Sequence, residues 1–72
     1  GALVPGEPMI VNGEPRTHRP DLRLRALLAE LKVDDRAAAV MVGEEIYRPG
    51  HIPDIALKES DVIEIVSMMQ GG

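Results

Sequence analysis

A single stretch of this chain repeats apolar residues at helical spacing, and that limits what the rest can be. Leu24, Leu27, Leu28 and Leu31 fall at i, i+3, i+4 and i+7, so one helical face is continuous leucine while Arg23, Arg25, Glu30 and Lys32 face water. A lone amphipathic helix needs a sheet to cover. The flanking segments supply one. Met9-Ile10-Val11 reads as a short apolar strand, Asn12-Gly13 is a preferred pair for a tight hairpin because both residues tolerate positive φ, and Pro15 to His18 is the returning strand. Pro20 and Asp21 mark the approach to the helix.

After the polar break Val33-Asp34-Asp35-Arg36, the run Ala37 to Val42 reads as a strand, although its alanines are weak strand formers. Gly43-Glu44 offers a second turn, Glu45 to Arg48 the strand after it, and Pro49-Gly50-His51-Ile52-Pro53 an irregular loop. Ile55 and Leu57 are expected to plug the core from a short turn, and Lys58-Glu59-Ser60-Asp61 to form a solvated turn. The last strand, Asp61 to Met68, is rich in β-branched residues. The order predicts an α+β chain: a mixed sheet of four to five strands crossed by one helix, with the first strand beside the last in parallel and a right-handed connection. That arrangement is the ubiquitin-like β-grasp.

The chain of 72 residues suits one small domain, burying about 60% of its unfolded surface and leaving no room for a large substrate cleft. Cys, Trp and Phe are absent and Tyr47 is the sole aromatic, so Leu, Ile, Val, Met and Ala must build the core. Without Cys there is no disulfide or thiolate–metal chemistry. His18 and His51 lie far apart, and His51 with Asp54 forms an i, i+3 pair in a proline-bounded loop; these read as surface residues, and no metal site is expected. No Ser-His-Asp arrangement can be argued, and Asp34-Asp35 and Glu44-Glu45 read as charged turns.

A net charge of −4 argues against nucleic acid as a partner, and one Tyr cannot supply a stacking platform. Arg16, Arg19, Arg23 and Arg25 read as solvated charges flanking the helix, the alternative being a contact with an acidic partner. No apolar run approaches the ~20 residues of a membrane span and no charged-then-apolar leader is seen, so the expectation is a cytoplasmic protein that makes no use of a membrane. Residues 1–8 carry two prolines and no periodicity; with Met9 as the natural initiator they read as a cloning remnant or a flexible arm. The folded domain is then 9–68, and 69–72 form a flexible tail.

That tail, Met69-Gln70-Gly71-Gly72, peels away from the last strand without side-chain bulk. Two glycines can adopt almost any backbone angle and enter a channel too narrow for other residues, which makes the terminal carboxylate a candidate reaction centre. Taken alone, the dipeptide reads as well as an ordinary frayed end.

The opening Ile10-Val11-Asn12-Gly13-Glu14, the helix Leu24 to Leu31, the turn Gly43-Glu44-Glu45-Ile46 and the ending Asp61-Val62-Ile63-Glu64-Ile65-Val66 through Gln70-Gly71-Gly72 together resemble the ThiS family, the sulfur carriers of thiamine thiazole synthesis. The resemblance covers residues 9–72. Arg23 departs from it, standing where a Thr or Ser helix cap is common.

The resemblance implies chemistry at the Gly72 carboxylate, with Gly71 in the tail, and a carrier that catalyses nothing and binds no cofactor itself. An E1-like (ThiF-like) adenylating enzyme would use ATP to convert the carboxylate to an acyl adenylate. A sulfur donor would replace AMP, and the covalently carried thiocarboxylate would pass its sulfur to a ThiG-like thiazole synthase. The carrier is expected to be monomeric when free. Carriers of the same chemistry for molybdopterin or tRNA thiolation, a protein-modifying ubiquitin-like protein, and an adaptor with an inert tail remain alternative readings.

Strand alternation adds a candidate docking face. If Ile63 and Ile65 point into the helix-covered core, then Glu64, Val66 and Met68 point away from it, joined by Met41 if Val40 and Val42 face inward. Met41, Val66, Met68, Met69, Gln70, Gly71 and Gly72 are thus the candidate partner-binding residues. An exposed apolar cluster beside a reactive tail suits docking, and scattered surface apolar residues are the plainer alternative.

Overall fold

The computed structural model describes residues 7–67. Five strands and one helix follow in the order β1 (Met9–Val11), β2 (Glu14–Arg16), α1 (Leu24–Glu30), β3 (Ala38–Val42), β4 (Glu45–Tyr47) and β5 (Val62–Ser67). They form one sheet in the order β2-β1-β5-β3-β4. β1 and β5 are parallel, with Ile10 opposite Val62 and Val11 opposite Ile63, and every other pairing is antiparallel. This is the expected β-grasp.

The turns explain the registers. Asn12 and Gly13 both have positive φ, 51° and 83°, which is the type I′ geometry that matches strand twist. At the second hairpin Gly43 alone is positive, at 60°, and Val42 faces Glu45, the II′ pattern with Gly first. The returning strand β2 is shorter than predicted, ending at Arg16. Its register pairs Arg16 with Met9, so Thr17 would fall opposite Pro8, which has no N–H to offer a ladder.

Leu24, Leu27 and Leu28 of α1 are buried and pack with Met9, Val11, Val40 and Ile63 from the sheet. Leu31 is half-buried and closes the helix as its C-cap. Lys32 then takes a left-handed φ of 59°, its N–H bonds to the Ala29 carbonyl at 3.1 Å, and the Val33 N–H bonds to the Leu28 carbonyl at 2.9 Å. These two bonds make a Schellman motif with Lys where Gly is usual. Val33 lies against the core as the apolar member of that motif and so belongs to the helix end.

The start of α1 is satisfied from a distance. Arg23 at the N-cap makes no capping bond with its side chain. Instead the Leu24 N–H bonds to the Ile55 carbonyl at 2.8 Å and the Arg25 N–H to the Asp54 carboxylate at 3.1 Å. The Arg23 guanidinium reaches Asp54 as well, at 3.3 Å from its carboxylate. The Leu57 N–H bonds to the Leu22 carbonyl at 2.9 Å, and Arg23 bridges Ala56, so the irregular segment runs antiparallel to the residues leading into the helix. It buries Ile52 and Leu57 and packs Ile55 on the core, while Leu22 is buried opposite. Ile55 and Leu57 were expected there; Leu22 and Ile52 were not.

The predicted solvated arginines on the helix side are engaged in ion pairs. Arg16 and Arg19 converge on Glu30, Arg25 meets Asp35 at 2.7 Å, and Arg36 approaches Asp34 at 3.9 Å. The hydrogen bond from Arg19 holds the Glu30 carboxyl below its ordinary range, against a smaller opposing effect of desolvation. A depressed carboxylate stabilises the fold above its unfolded-state pKa, and that contribution is lost as pH falls through the folded-state value. Arg19→Ala should therefore raise the Glu30 midpoint in an NMR titration, with little change in melting temperature at neutral pH because the pair is exposed. An unmoved midpoint would remove Arg19 as the cause.

Leu28→Ala tests the packing of α1 on the sheet. It should cost roughly 2–5 kcal/mol, read as a lower urea midpoint at unchanged slope. A loss below about half a kilocalorie would mean that the leucine stripe does not carry the core.

Candidate functional site

β5 occupies the middle of the sheet and carries the chain toward its candidate reaction centre. Its inward residues alternate as expected: Ile63 is fully buried, and Ile65 is half-buried against the core. β1 stops at the hairpin before β5 ends, and Asn12 compensates. Its backbone N–H bonds to the Ile63 carbonyl at 2.9 Å, while its side-chain Oδ1 accepts the Ile65 N–H at 2.7 Å. With φ at 51° the Asn12 carbonyl has turned away, so the side chain takes its place in the ladder. On the other side, the β3 pairing runs as far as Ser67 opposite Ala38. β5 is thereby held on both flanks until shortly before the tail.

Met68, Met69, Gln70, Gly71 and Gly72 lie outside the described residues, so the candidate carboxylate is located here only by the strand that leads to it. The remaining predicted contacts, Met41 and Val66, lie on the sheet face away from α1. Val66 is 57% exposed and sits opposite Ala39, whereas Met41 is half-buried opposite Glu64. The face is wider than the parity of β5 suggested. Val62, 46% exposed, pairs with Ile10, and Ile46, 66% exposed, pairs with Met41. Ile10, Met41, Ile46, Val62 and Val66 thus lie on one face, with Glu64 among them. The parity that exposes Val66 also exposes Val62, but Ile46 could be placed only with the β4 register in hand.

The remaining polar candidates do not converge. His18 is half-buried and donates from Nε2 to the Leu57 carbonyl at 2.8 Å, a structural tie between the β2–α1 connection and the segment beneath the helix. His51 is exposed. Among the described residues no three His, Asp or Glu side chains gather as a metal site would require, and they enclose no pocket. No buried side-chain nitrogen or oxygen there lacks a partner.

Comparison with known proteins matches residues 9–72 to a family model described as the ThiS family. The chain is 39% identical over 62 residues to the sulfur carrier protein ThiS of Thermus thermophilus, covering 86% of this chain and 95% of that protein. It is also 36% identical over 64 residues to a thiazole synthase of Paramagnetospirillum magneticum, covering 89% of this chain but 20% of that protein.

The two faces of β5 can be told apart by charge. Val66→Asp should fold, with a melting temperature close to that of the unmodified chain, while Ile63→Asp should unfold the domain by burying an unpaired carboxylate. Circular dichroism melts of the two variants decide it: unfolding by Val66→Asp would take Val66 off the exposed face, and unfolding by Val66→Asp alone would invert the face assignment.

Proposed function

This chain belongs to the ThiS family, and from that premise we propose that it carries sulfur as a thiocarboxylate on Gly72 for formation of the thiazole ring of thiamine. The observation that carries the reading is a family match that runs through Gly72, on a chain whose last strand is the braced centre of the sheet. A carboxylate is a poor acyl donor because its leaving group would be oxide. Attack of the Gly72 carboxylate oxygen on the α-phosphorus of ATP, with loss of pyrophosphate, gives a mixed anhydride from which AMP can leave. The terminal sulfur of a persulfide donor displaces that AMP to give an acyl disulfide, and a thiol then attacks the donor's own sulfur, breaking the S–S bond, releasing the thiocarboxylate and leaving the donor as a disulfide. The resulting thiocarboxylate sulfur is softer and more nucleophilic than oxygen and is passed on to the ring-forming enzyme.

The catalytic groups for these steps belong to partners in this reading: a ThiF-like adenylating enzyme, which also uses the ATP, and a ThiG-like thiazole synthase. The second of these is supported by the relative named thiazole synthase, a protein of which this chain spans about a fifth. A stretch resembling this chain thus occurs within a chain that bears the name of the acceptor enzyme. The tail Met69-Gln70-Gly71-Gly72 would enter the partner's active site while the face around Met41 and Val66 rests on its surface. Glycines at the end would let a narrow passage close around bare backbone.

Intact-mass measurement after incubation with ATP, a sulfur donor and an adenylating enzyme tests the chemistry. The expected product is heavier by the exchange of one oxygen for one sulfur, and fragmentation should place it at Gly72. Deleting Gly72, or adding one residue after it, should abolish the gain while leaving the circular dichroism spectrum unchanged. Full modification of an extended chain would defeat the proposal.

A further inference from the structure

The sheet face away from α1 carries one charge in an unusual setting. Glu64 lies across from Met41, and Val62 and Val66 are its same-face neighbours along β5, about 7 Å away on either side. Ile46 lies beyond Met41 in the same row, and Ile10 stands opposite Val62. Around α1, Glu30, Asp34, Asp35 and Asp54 each meet an arginine, whereas Glu64, like the turn acids Glu44 and Glu59, has no such partner and differs from them in standing among aliphatic side chains on a sheet face. The Glu64 carboxylate enters none of these ion pairs, and no hydrogen bond engages it among the described residues. Water solvates it in the free protein.

Docking of any surface over Val62, Val66 and Ile46 would strip that water. An unpaired carboxylate held in a dry apolar contact is strongly disfavoured, so an apolar surface alone could not cover this face. We propose that Glu64 is the specificity-determining residue of the docking face, and that the partner surface it fits is an apolar patch with an arginine or lysine set within it. This rests on the docking role given to the face above and goes further, by fixing the partner's charge at one position. Pairing there would guide encounter and orient the two surfaces, and would disfavour partners that lack the cation.

The test measures binding of the full chain to the thiazole synthase partner by surface plasmon resonance at low and high salt, with Glu64→Gln, Glu64→Lys and Val66→Asp. Melting temperatures should stay close to that of the unmodified chain, since both positions are exposed. Glu64→Gln keeps the shape and removes the charge; it should weaken binding about tenfold and flatten the salt dependence of the association rate, and Glu64→Lys should weaken it further. Binding by Glu64→Gln within about twofold, with unchanged salt dependence, would overturn the proposal. If Val66→Asp still lost binding in that case, the docking face itself would stand. Tighter binding by Glu64→Gln together with lower solubility would also overturn it, assigning the charge to keeping an apolar sheet face in solution. Normal binding by all three variants would remove the docking face as well as Glu64.

Discussion

The parallel pairing of β1 with β5 is the constraint on which the rest depends. It joins the two ends of the described chain at the centre of the sheet, so neither hairpin can complete the fold alone. Only Ile10–Val62 and Val11–Ile63 are in strand register, a short contact for a central seam. Asn12 lengthens it by one bond through its side chain, and Ile63, wholly buried, anchors it against the leucines of α1. The central place of β5 in the sheet follows from that seam.

In the function proposed above the chemistry sits at Gly72, and the fold fixes the strand that leads toward it. The ion pairs gather around α1 and the segments near it, on Glu30, Asp34, Asp35 and Asp54. The opposite face is left with aliphatic side chains and Glu64. The two sides of the sheet therefore do different work: one is closed by the helix and its ion pairs, and the other remains available to a second protein.

Much of this was legible in the sequence because it was written in short-range patterns. The leucine spacing gave α1, Asn12-Gly13 and Gly43-Glu44 gave the hairpins, and the alternation through Ile63, Glu64, Ile65 and Val66 assigned the faces of β5. Leu22 and Ile52 were missed because each is an isolated apolar residue near prolines, with no period to reveal that it is buried. The helix cap was missed for a different reason. Local rules look for Ser, Thr or Asp immediately before the helix, whereas here Asp54 reaches the Arg25 amide from 29 residues away along the chain. Ile46 and Val62 completed the exposed face only once strand registers joined them. The glycine tail was recognisable from composition and position, which do not require a fold.

The borrowed cap has a consequence for how the molecule folds. A helix of seven residues is too short to persist by itself, and this one does not carry the groups that would start it. Its first amides are satisfied only after the segment around Asp54 and Ile55 has come back beneath it. Helix formation is thus tied to closure of a long loop, which places the cost of that closure before the gain and disfavours early, independent nucleation of the helix. Helix and segment form one cooperative unit, and local opening of the segment releases the leucine stripe together with the lid it forms over the sheet.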